Sequence, residues 1–183
     1  MSTATAQSIA AGKWSIDPVH STVGFAVKHM VVATFRGRFE QYTGTLSAGA
    51  DGTPVLSGSV DVDSIVVKDE NLAGHLKSPD FFDSANHPQI TFSSTSLSAS
   101  ENGELEVTGD LSIKGNKHNV VARGSLVGPH VDIAGNDKIG VELEATIDRR
   151  EYGLEWNAPL PKGGFALDND VRLQVSLELV REA

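Results

Sequence analysis

A chain of 183 residues, 39% hydrophobic and 21% charged, is long enough for one domain with its own core and too apolar to be disordered. Its formal charge of −9 disfavours nucleic acid and anionic lipid headgroups as surface partners, and the lack of cysteine excludes disulfides, zinc–thiolate sites and a cysteine nucleophile. No apolar run reaches the roughly 18 residues of a membrane-spanning helix, and the start MSTATAQSIAAGKW has neither the basic nor the apolar region of a secretory signal, so a cytoplasmic protein with no integral membrane segment is expected.

Residues 1–12 are expected to be flexible, ahead of a single domain over 13–183. From Trp14 onward the sequence alternates. Val23, Phe25 and Val27 share one side of a strand expected over Trp14–His29, bent at Pro18, and Phe35 and Phe39 share one side of the next, Phe35–Leu46. Further strands are expected over Val55–Asp63, Gln89–Ser96 (Ile90 and Phe92 on one side), Leu105–Ile113, His118–Val127, Ile139–Asp148 and Val171–Arg181. In the last two, Ile139, Val141, Leu143, Ala145 and Ile147, then Val171, Leu173, Val175, Leu177 and Leu179, are apolar while the residues between are mostly polar. Such alternation puts one face in an apolar interior and the other in water.

Two segments depart from it. In DENLAGHLKS, Leu72, His75 and Leu76 fall at i, i+3 and i+4, with acidic residues before and Lys77 after, which predicts a short helix stopped by Pro79. Phe81 and Phe82 follow directly. The connection from Arg149 to Asp170 contains Trp156 and Phe165, and a loop of that length within one domain is usually functional or mobile.

About eight amphipathic antiparallel strands with one shared apolar face are best satisfied by closure into a barrel, which removes exposed edges. The fold class is therefore all-β, an extended eight-stranded antiparallel barrel with a short helical cap. A barrel of that size is either just filled by side chains or holds one small ligand. The six histidines show no H-x-H, H-x₃-H or H-E-x-x-H spacing, and neither a G-x-S-x-G elbow nor a phosphate-cradling glycine loop occurs, so no metal site, catalytic residue or cofactor requirement is read. The aromatic and aliphatic groups are more coherent: Val23, Phe25, Val27, Phe35, Phe39, Leu72, Leu76, Phe81, Phe82, Ile90 and Phe92, with Trp156 and Phe165 from the long loop, are the candidate wall of a dry cavity.

The motifs WSIDPVHSTVGFAVKHM with FRGRFEQYTG, SVDVDSI with HLKSPDFFDSANHPQITFSS, GDLSIKGNKHNV and IDRREYGL follow one another from Trp14 to about Arg181. As an ordered set they resemble the YceI family of lipocalin-like polyisoprenoid-binding proteins. The resemblance implies a barrel carrying a long isoprenoid chain, a polyprenyl phosphate or an isoprenoid quinone, for carriage, storage or sequestration, and a possible homodimer. It further implies Leu72, Leu76, Phe81 and Phe82 against the tail, with His75 and Lys77 nearer the mouth where an anionic head group would sit. Many members carry an export signal, which the start of this chain does not resemble. The rival readings are an enzyme acting on such lipids and an interaction domain whose barrel is filled by its own side chains.

Overall fold

Alternation of apolar and polar residues builds eleven strands, all paired antiparallel in one sheet, in a computed structural model that describes residues 9–48 and 53–183. The ring β1–β4–β5–β7–β8–β9–β10–β11 closes because β1 (Gly12–Ile16) pairs with both β4 (Tyr42–Ala48) and β11 (Leu167–Arg181). The remaining ring strands are β5 (Val55–Asp61), β7 (Gln89–Ala99), β8 (Glu104–Ile113), β9 (Asn116–Val131) and β10 (Asp137–Asp148). The expected closed eight-stranded barrel is the observed architecture. Of the segment expected to be flexible, residues 1–8 lie outside the described residues, whereas Gly12 already belongs to β1.

Two strands expected as continuous are broken. Pro18 lies in a turn between β1 and β2 (Thr22–His29), because proline cannot donate to a ladder. The chain also turns at Glu40 and Gln41, between β3 (Ala33–Phe39) and β4. The long strand β11 serves both halves of the first break: it pairs with β1 from Leu179 to Arg181 and with β2 from Leu167 to Ser176. On its other side β3 has only the two-residue β6 (Ile65–Val66), opposite Arg38 and Phe39. β9 runs further than the expected end at Val127, so that His130 stands in it opposite Lys138.

The predicted helix is α1 (Glu70–Lys77). Asp69 caps it by accepting the N–H of Leu72 at 2.9 Å, and Ser78 closes it by donating its N–H to His75 O. No helix among the described residues is long and apolar enough to cross a membrane.

The interior falls into two levels. At one end Trp14, Leu46, Val107, Ile139 and Leu179 are essentially inaccessible and pack as one cluster. At the other end Phe39, Ile65, Leu76, Phe81 and Ile147 form a second cluster under α1.

Candidate functional site

Between those clusters the barrel encloses a cavity of about 420 Å³, within the usual range for small-molecule sites, roughly 300–1,000 Å³. Its space has a local cause. Inward positions that would hold large side chains in a filled barrel are Gly58 on β5, Ala122 on β9 and Ala145 on β10, and all three line it. Glycines also let aromatic rings lie flat against neighbouring strands: a Cβ on Gly37 would stand 2.5 Å from the Phe25 ring, and one on Gly109 2.6 Å from that of Phe92.

The candidate residues are brought together here. Val23, Phe25 and Val27 from β2, Phe35 and Phe39 from β3, and Ile90 and Phe92 from β7 line the wall. Leu72 and Leu76 from α1 line it as well, followed by Phe81 and Phe82. The chain after α1 is folded so that Phe81 N–H donates to Ser78 O and Phe82 N–H to Leu76 O, with Asp83 at positive φ, which drives both phenyl rings into the bore. Phe25, Phe35, Phe39 and Phe82 make a ring cluster with centroids 6.0–6.5 Å apart, the spacing of edge and tilted aromatic pairs. Trp156 joins from the long connection, 5.4 Å from Phe81.

Two candidates lie elsewhere. Phe165 does not line the cavity: it forms an isolated bridge with Pro159 and is 60% exposed. Lys77 is also outside the lining, because the helical face that points inward carries Leu72, His75 and Leu76 and the next residue is turned roughly 100° away. His75 does line the cavity, with Nε2 3.0 Å from Asp80 Oδ2 and its ring edge-on to Phe81 and Trp156.

Sequence reasoning missed Arg149. It follows the end of β10 and is only 5% exposed, yet it is part of the cavity wall. Its Nη1 donates to the carbonyls of Leu154 (2.5 Å) and Trp156 (2.9 Å), and its Nε to that of Asp168 (2.8 Å), so it pins the long connection to the start of β11. Among the described residues no carboxylate lies within ion-pair distance of it, and burial holds the guanidinium below its ordinary range. Asp148 instead pairs with the exposed Arg150, whose hydrogen bonds bring that carboxyl down to about 2. The signal in the sequence was a second basic residue directly after a strand end, which reads as solvated. Tyr152 is fully buried; its hydroxyl has no partner among the described residues, and burial pushes its pKa up to about 12.

Outside the barrel, Asp17, His20 and Glu178 lie close enough together to share a cation. The Lys138 ammonium already occupies that cluster, paired with Glu178 and 3.8 Å from Asp17.

A closed antiparallel barrel with an apolar cavity beneath a short helical cap is a lipocalin-like architecture. Residues 14–179 match the model of the YceI-like domain, and the chain belongs to that family. A UPF0312 protein of Staphylococcus epidermidis is 30% identical over 172 residues, covering 91% of this chain and 96% of that one. Among solved structures, BcnA of Burkholderia cenocepacia superposes with a TM-score of 0.73 at 20% identity, covering 89% of this chain and 98% of that one. A polyisoprenoid binding domain from Saccharophagus degradans, implicated in plant cell wall breakdown, superposes with a TM-score of 0.67 at 13% identity, covering 92% and 98%.

Proposed function

We propose that the protein binds the hydrocarbon tail of one long-chain isoprenoid lipid, a polyprenyl phosphate or an isoprenoid quinone, in the barrel cavity, and that it carries, stores or sequesters this lipid without transforming it. The observation that carries this reading is the aromatic and aliphatic wall around about 420 Å³ of unfilled space. The family and the polyisoprenoid-binding neighbour support it. Each five-carbon unit moved from water into such a wall contributes on the order of 3–4 kcal/mol, at about 0.8 kcal/mol per CH₂-sized group. Ordering a flexible tail offsets part of that. Binding of this kind needs no metal or cofactor.

A phosphate head group would be matched by Arg149, a buried cation in the cavity wall with no carboxylate at ion-pair distance among the described residues, and by the imidazole of His75 across Trp156. Arg149→Gln should then weaken phosphate-ended guests more than quinones, while equal weakening of both would leave Arg149 only its role in holding the loop.

Native mass spectrometry of the gently purified protein, followed by organic extraction, tests the main reading. A tightly retained isoprenoid supports it. A lipid that is turned over on incubation points to an enzyme, and protein that stays empty when offered isoprenoids points to an interaction domain.

A further inference from the structure

A notch interrupts the barrel wall beside β4. β1 accompanies β4 only from Thr45 to Ala48, because the chain leaves the ladder after Ile16 and turns at Pro18. On that side Tyr42, Thr43 and Gly44 have no ladder partner among the described residues, and the turn 17–21 stands across from them. Two side chains close the notch. The Tyr42 hydroxyl donates to Ser21 O at 2.6 Å, a bar from β4 to the turn. Ile16 lies over Gly44, where a Cβ would stand 2.6 Å from its Cδ1. Gly44 pairs with Gly58 and Gly58 with Phe92, so at this level two neighbouring strands present bare backbone to the bore.

Outside the notch is a depression bordered by Lys13, Ser15, Pro18, Thr45 and Glu182. Ile16, Tyr42, Thr43, Gly58 and Phe92 line both this depression and the cavity, so residues of a single wall layer stand between the two. Lys13 and Glu182 neutralise each other at 3.1 Å, while Pro18 and the methyl groups of Thr43 and Thr45 supply apolar surface. The notch lies at the deep end of the cavity, since Ile16 and Phe92 pack against the cluster around Trp14.

The bore alone is short for a long tail. Its volume of about 420 Å³ holds about 14 water-sized groups at roughly 30 Å³ each, or about three five-carbon units. Beyond them Trp14 and Leu46 are fully packed. A guest whose head group stays at the mouth has to lead the rest of its tail elsewhere.

We propose that the notch is a side exit, through which the far end of an isoprenoid tail longer than about three units leaves the bore and lies in the outer depression. The inference rests on the reading of the cavity as a lipid site. Passing Trp14 would empty the packed cluster, whereas the side exit needs only Ile16 to turn aside and the Tyr42 hydroxyl to release Ser21, with every ladder bond kept. The Gly44–Gly58 pair leaves room for that turn.

Two isoprenoid alcohols test this: farnesol, which the bore holds whole, and the much longer solanesol, also prepared with a photoreactive diazirine at its far end. After irradiation of the loaded protein, the label is expected on Lys13, Ser15 or Thr45. Tyr42→Phe removes the bar and should raise the affinity for solanesol relative to farnesol about fivefold. Thr45→Trp, on the outer face where an aromatic residue suits a strand, covers the depression and should lower the same ratio at least about tenfold. The side exit is overturned if the label falls on Trp14 and Leu46 or at the mouth on Trp156, or if neither variant moves the ratio. If both alcohols are retained and the label lies at the mouth, the side exit alone falls; if neither alcohol is retained, the lipid-site reading falls and the exit with it.

Discussion

The two ends of this barrel share strands but not interiors. At the packed end Trp14 spans the bore, its indole N–H donating to Ala10 O at 3.2 Å and its ring lying 5.7 Å beneath the Arg181 guanidinium, while Leu46, Val107, Ile139 and Leu179 fill the space around it. Where that cluster ends, the same alternation delivers Gly58, Ala122 and Ala145 to inward positions, and beyond them aromatic rings stand around the gap. Alternation therefore decides which side chains face inward. Whether they meet is decided by their size at matching levels on neighbouring strands.

The sharpest way to break the contrast is at the packed end. Trp14→Ala removes a side chain with no alternative packing and should cost about 3–5 kcal/mol, read as a lower denaturation midpoint. Phe82→Ala at the hollow end should cost less, because its ring is only partly buried and borders unfilled space; an equal loss in both variants would erase the distinction. Ala145→Phe should do the opposite of both: it fills the cavity at a stability change within roughly 1–2 kcal/mol and abolishes lipid retention, measured by extraction.

The smallest effect concerns the joint between β1 and β2. His20 lies 2.9 Å from Asp17, whose hydrogen bond and charge raise the imidazole pKa, while the same bond is the largest cause lowering that of the carboxyl. The raised His20 stabilises the fold fully below its unfolded value of 6.5 and loses that contribution as pH rises through the higher folded value. The lowered Asp17 contributes fully above 3.8 and loses its contribution as pH falls through the lower folded value. The pair should therefore hold the joint best between those two pH values. A thermal midpoint that rises slightly in that window, and flattens in His20→Gln, checks this.

Much of the architecture was legible in the sequence because period-two alternation is a local property: β5, β7, β8, β10 and α1 lie close to their expected spans. The turn that separates β1 from β2 was marked by Pro18, whereas Glu40 and Gln41 carry no comparable signal. The cavity was legible only in part, since its emptiness depends on Gly58, Ala122 and Ala145, small residues far apart in sequence, all lining the same space. Phe165 was placed in the wall and Arg149 was passed over for a shared reason: in an irregular connection neither hydropathy nor charge indicates which way a side chain points, and three carbonyl acceptors make burial of a guanidinium tolerable.

The brevity of β6 has a mechanical consequence. Around Trp14 the circumference is stitched by continuous main-chain ladders, and widening it means breaking them. Beside β3 the stitching is two residues long, and above it the seam is held by Phe39, Phe81 and Phe82 packed against one another and α1. Contacts between such rings involve no main-chain hydrogen bond, so a displacement above β6 disturbs packing and leaves the ring ladders as they are.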